Sequence, residues 1–124
     1  MERVRNYLMN EKEKELFDFL DEKKALVLAE VKDLASQDRM DESNILKAKS
    51  NIYDICKAVF GAATKKASDG NVKDTFLSTF GNITGQWQKS LEQAKAHDDS
   101  YKILIEEAKL SAVSEILEKT EDLF

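Results

Sequence analysis

The stretch ILKAKSNIYDICKAVFGAA, residues 45–63, decides the fold class. At about 100° per residue, Ile45, Ala48, Ile52, Cys56, Val59 and Ala63 fall along one line of a helix, with Tyr53, Ile55, Phe60 and Ala62 on its flanks. An alternating strand would put every second residue inside, and this run does not. Its apolar arc is the broadest in the chain, so the spacing predicts the most buried helix here.

Three further segments carry the same period. Leu16, Phe17, Leu20, Val27, Leu28, Val31, Leu34 and Ala35 form a stripe ahead of it. Behind it comes a narrower, aromatic-rich stripe of Val72, Phe76, Phe80, Ile83, Trp87, Leu91 and Ala94, and then Tyr101, Leu104, Ile105, Ala108, Ala112 and Ile116. The polar breaks Ser36-Gln37-Asp38-Arg39, Ser68-Asp69-Gly70-Asn71 and His97-Asp98-Asp99-Ser100 separate the four segments. Connections this short make successive helices antiparallel. The expected fold is an all-α, antiparallel up-down-up-down four-helix bundle with helices over 11–36, 42–67, 72–96 and 100–121, forming one domain over 1–124. Residues 1–10 are either a short separate segment or an extension of the first helix. Asn10 with Glu13 resembles a capping box, Asp41 is the expected cap of the second helix with Met40 stapled on Ile45, and the aspartates of the third break are expected to cap the fourth.

Composition supports this class. With no proline and four glycines, the chain lacks the turn punctuation of a β-sandwich or barrel. Its 42% hydrophobic content supplies one core and excludes a disordered tail despite the many charges. A net charge of −5 disfavours nucleic acid as a partner. The acidity is uneven: residues 11–40 carry −3 and 98–124 carry −5, against +1 for each of 1–10, 41–69 and 70–97. One side of the bundle, that of the first and last helices, is therefore expected to be negative. Glu115, Glu118, Glu121 and Asp122 oppose the dipole at the end of the fourth helix, which should fray or meet a basic partner. The run Tyr7-Leu8-Met9 is too short for a signal peptide or membrane span, and the lone Cys56 suits a reducing cytoplasm, so membrane insertion is not expected.

Surplus apolar residues are the informative part. Ile103, Leu110, Leu117 and Phe124 recur at intervals of seven with Val113 beside them, and Phe19 and Leu26 repeat the pattern on the first helix. Such a second stripe suits another helix laid alongside, which makes a homodimer the expected partner, unless Val4, Tyr7 and Leu8 of the N-terminal segment cover it. Ser78, Gly81, Asn82 and Gly85 form a small-residue face opposite the aromatic stripe, a candidate for close approach by another helix or simply a tolerant surface. Tyr53, Phe60, Phe76, Phe80 and Trp87 are the residues that would line a pocket for an apolar small molecule.

Chemistry finds little foothold. A di-iron carboxylate bundle needs two Glu-x-x-His pairs, and His97 is the only histidine, so neither a metal nor another cofactor is expected. Cys56 lies mid-stripe, where a thiol behaves as a small hydrophobe. Glu106 and Glu107 point to different sides of their helix and cannot act as an acid–base pair. The expected function is that of a non-catalytic, regulatory interaction protein, with apolar-ligand binding as the second class. The short bundle resembles bacteriocin immunity proteins in architecture alone, which implies a protective role as a third.

Overall fold

The computed structural model describes the backbone of residues 2–67 and 71–124 and the side chains of 11–67 and 71–124. Among these residues the chain forms four helices: α1 (Glu2–Ser36), α2 (Met40–Lys66), α3 (Val72–Ala96) and α4 (Ser100–Leu123). Cross-helix pairs fix their directions. Lys24 meets Asp54 and Lys57 meets Asp21, so α1 and α2 run antiparallel. Lys73 meets Glu121 and Lys109 lies over Trp87, so α3 and α4 do too. Lys49 meets Glu115 and Phe60 meets Phe124, which leaves α2 and α4 parallel, as up-down-up-down topology requires.

The cross-section is a rhombus rather than a square. α2 and α4 pack extensively across the short diagonal, and among the described residues α1 and α3 do not meet. This places α2 where its broad apolar arc predicts, with Ile52, Tyr53, Cys56, Phe60 and Ala63 all buried. Leu16, Leu20, Val72, Phe76, Phe80, Ala112, Val113 and Ile116 complete the core. That core lies towards one end of the bundle, near the start of α3 and the end of α4. Towards the other end Leu28, Met40, Tyr101 and Leu104 are exposed, although Leu28, Tyr101 and Leu104 belong to predicted core stripes.

α4 shows the largest departure from the expected packing. Its buried residues are Glu106, Ala112, Val113, Ile116 and Thr120, which places the inward face between the two predicted stripes. The helix is turned by roughly 80° from the stripe-centred orientation at about 100° per residue. Because α4 lies on the short diagonal, it packs against α2, α3 and α1, and an inward sector that wide must draw on both stripes.

The first and third breaks are built alike. After α1, the amide of Arg39 donates to the carbonyl of Leu34 and that of Asp38 to Ala35; after α3, Asp99 donates to Ala94 and Asp98 to Lys95. Both are Schellman motifs, with Asp38 and Asp98 at positive φ of 60° and 52° in the position usually held by glycine. Asp99 then caps α4 by accepting from the amide of Lys102, as expected. The other expected caps are corrected. α1 runs through residue 10, leaving no helix start for Asn10 to cap. α2 begins at Met40, so Asp41 lies within its first turn, and Arg39 stands at the cap position, its guanidinium paired with Glu42. The Val4, Tyr7 and Leu8 side chains lie outside the described residues, as does the turn at 68–70.

α4 does not fray at its acidic end. It continues to Leu123, the amide of Phe124 donates to Thr120, and the Phe124 ring packs on Phe60 at 5.3 Å. Ring packing at this point outweighs the few tenths to about 1 kcal/mol by which each carboxylate opposes the helix dipole.

The helical glycines are open. A Cβ added at Gly81 or Gly85 would meet nothing within 4 Å. Gly81→Ala and Gly85→Ala should each stabilise the fold by about 0.8–1 kcal/mol. Together they should raise the thermal midpoint by about 6–8 °C, measured by circular dichroism.

Candidate functional site

The expected interface residues do not form one free stripe. Val113 is buried, and Leu110, Phe124 and Phe19 pack against the core. Ile103 is half-buried, leaving Leu117 and Leu26 as the exposed members. The bundle itself therefore covers most of the second stripe of α4, because that helix turns the seam between its stripes inward. The small-residue face lies outside, with Ser78, Gly81, Asn82 and Gly85 all exposed, and Ser78 lines a shallow polar depression with Lys66 and Asp74.

The aromatic set divides in two. Phe60 and Phe76 meet edge-on at 5.2 Å and Phe76 stacks on Phe80 at 5.1 Å, so these rings fill the space in which an apolar ligand would sit. Tyr53 is buried nearby, its hydroxyl donating to Glu115 at 2.7 Å. Trp87 is only half-buried, with the Lys109 ammonium 4.8 Å above its ring.

Lys109 joins that ring to an unexpected polar group. Glu106 is buried, and Lys109 reaches its carboxylate at 3.2 Å. That contact is to Oε2 and lacks hydrogen-bond geometry; the ammonium donates its hydrogen bond to Oε1 at 3.3 Å. The sequence reading left Glu106 either solvated or paired with a lysine at 102 or 109; the Lys109 pairing is present, but buried and opposite Trp87 on the antiparallel neighbour. A buried ion pair of this kind costs desolvation and gains little net stability, but it is expensive to break on one side only. Lys109→Met alone should therefore destabilise the fold by about 3 kcal/mol. The double variant Glu106→Leu with Lys109→Met should lie within about 1 kcal/mol of the parent in urea unfolding.

A second polar arrangement lies between α1 and α4. Phe19 and Lys23 from α1, with Glu115, Glu118, Lys119 and Asp122 from α4, line a cleft of about 230 Å³. Lys23 and Lys119 hold their ammonium groups 5.6 and 5.5 Å from the Phe19 ring centroid. Glu115 is already engaged by Tyr53 and by Lys49 at 3.3 Å. Among the described residues Glu118, Asp122 and the neighbouring Glu22 make no ion pair within 4.0 Å. Leu26 lies one heptad beyond Phe19 on the same side of α1 and is 60% exposed. Leu104 lies eleven residues, or about three turns, before Glu115 on the same side of α4 and is 53% exposed. Sequence reasoning found Phe19 and Leu26 but put Leu104 in the core.

Burial governs the two titratable groups of the core. Burial pushes the Cys56 thiol up to about 12. Burial, with the hydrogen bond to Glu115 and its charge, also raises the Tyr53 hydroxyl well above its usual range. Both groups are held neutral by the fold, so their contribution is intact below about pH 8, where the unfolded thiol is still mostly protonated. It is lost as pH climbs towards 12, because the unfolded chain ionises first. The urea midpoint should be flat from pH 7 to about 8 and fall steadily above it, and Cys56→Ala should flatten part of that fall. Among the described residues no group of three or more His, Cys, Asp or Glu side chains is arranged to hold a metal, and no helix is long and apolar enough to cross a membrane.

Comparison with protein-family models, curated proteins and solved structures finds no match to this chain.

Proposed function

We propose that this four-helix bundle works by binding another protein through its α1–α4 side, without catalysis of its own. The observation that carries this reading is the exposure of Leu26 and Leu104 on the two helices that flank the cleft lined by Phe19 and charged side chains. Water-exposed leucines beside a concave junction are a cost to an isolated domain and an anchor to a complex. The apolar-ligand reading is weaker, because the rings that would line its pocket pack on one another. A reducing cytoplasm as the setting belongs to the same proposal, as the buried thiol of Cys56 needs no oxidised partner.

Self-association is the competing proposal. A two-fold contact through α1 and α4 would press the two most acidic segments of one chain against the same segments of its copy, and like charges facing each other disfavour that arrangement. Light scattering should accordingly give the single-chain mass of 14.1 kDa. A doubled mass that Leu117→Glu returns to the single-chain value would instead support a dimer built on α4. Affinity capture from the native host, followed by mass spectrometry, should retain a protein that the Leu26→Asp, Leu104→Asp variant loses. If parent and variant retain the same proteins, the α1–α4 side is not the binding surface.

A further inference from the structure

The chemistry of the partner can be read from the charges around the same cleft; this step rests on the interaction reading above. We propose that the α1–α4 side docks a basic amphipathic helix of another protein. Three observations converge on it. Phe19 lines the cleft, and beyond it the exposed Leu26 on α1 and Leu104 on α4 lie on the same sides of their helices as its lining residues, one heptad and about three turns away, which extends an apolar path as an amphipathic helix requires. The acids beside them, Glu22, Glu118 and Asp122, make no ion pair within the described residues, whereas Glu115, Glu121 and Glu106 are each already paired. The two lysines at the cleft, Lys23 and Lys119, hold their ammonium groups 5.6 and 5.5 Å from the Phe19 ring centroid, and among the described residues neither reaches an acid within 4.0 Å.

A second copy of this chain fits the surface poorly, since residues 11–40 and 98–124 carry −3 and −5 and would face their own kind. A basic helix supplies both missing elements: leucine-like side chains for Leu26 and Leu104, and lysine or arginine for Glu22, Glu118 and Asp122. The apolar and acidic strip on α1 from 19 to 33 is about 21 Å long at 1.5 Å per residue, which a partner helix of about 14 residues would cover.

Two synthetic helical peptides of about that length test the proposal on the full chain. Both carry leucine at i, i+3, i+4 and i+7; one has lysine and the other glutamate at the remaining positions. Amide shifts in nitrogen–proton correlation spectra report where and how tightly each binds. The lysine peptide should bind at least about tenfold more tightly at low salt, with shifts confined to residues 19–33 and 101–122, and its advantage should shrink at about 0.5 M salt through screening. The variant Glu22→Lys, Glu118→Lys, Asp122→Lys should lose that advantage while keeping parental helicity, and Glu22→Gln, Glu118→Gln, Asp122→Gln should lie between. Equal binding of both peptides overturns the basic partner and leaves the interaction reading standing. Binding of neither overturns both, and shifts centred on α2 and α3 overturn the site.

Discussion

All four helices converge on the ring of Phe60. From the last two turns of α2 it meets Phe17 of α1 at 6.1 Å, Phe76 of α3 at 5.2 Å and Phe124 after α4 at 5.3 Å. Aromatic pairs at these separations add to the area they bury, and a single fully buried ring shared by four elements ties their registers together. Much of the structure follows from this point. α2 must lie on the short diagonal, the last residue of the chain must return to the core, and the tight packing gathers at one end of the bundle. The opposite end, where Leu104 and Tyr101 are exposed, has no equivalent ring to close it.

This asymmetry links packing to the proposed function. The phenylalanine cluster and the buried Tyr53–Glu115 bond hold α1, α2 and α4 together near Phe19, and the cleft between α1 and α4 is bounded by that fixed region. An interaction surface built beside a rigid core needs little ordering when its partner arrives, which favours affinity. The buried Glu106–Lys109 pair, with Trp87 of α3 against the lysine, lies on the other side of α4.

The helices were legible because each rests on local physics. Period 3.6 apolar spacing, the lack of proline and the short polar breaks place α3 at its observed limits and α2 within two residues at each end. Asp99 as a cap was legible for the same reason, since its oxygen reaches an amide three residues away. The aspartates at 38 and 98 were not read as left-handed C-terminal positions, because that role is usually glycine's and a glycine-poor chain gave no cue. The Asn10 cap failed because the helix continues through that residue, and no local rule reports that a helix already exists upstream.

Local sequence accounts for four amphipathic helices, their order, their antiparallel sense and the acidity of the first and last. Which sector of α4 faces inward is settled by packing. Two stripes offered themselves, and packing against three helices on a rhombic diagonal selected the seam between them, burying Val113 and Glu106 while exposing Leu104. The candidate site inherits that choice. Periodicity shows that a residue shares a face with others, but which face is covered depends on neighbours far away in the chain, here α2 and α3, and their positions enter only when the helices pack.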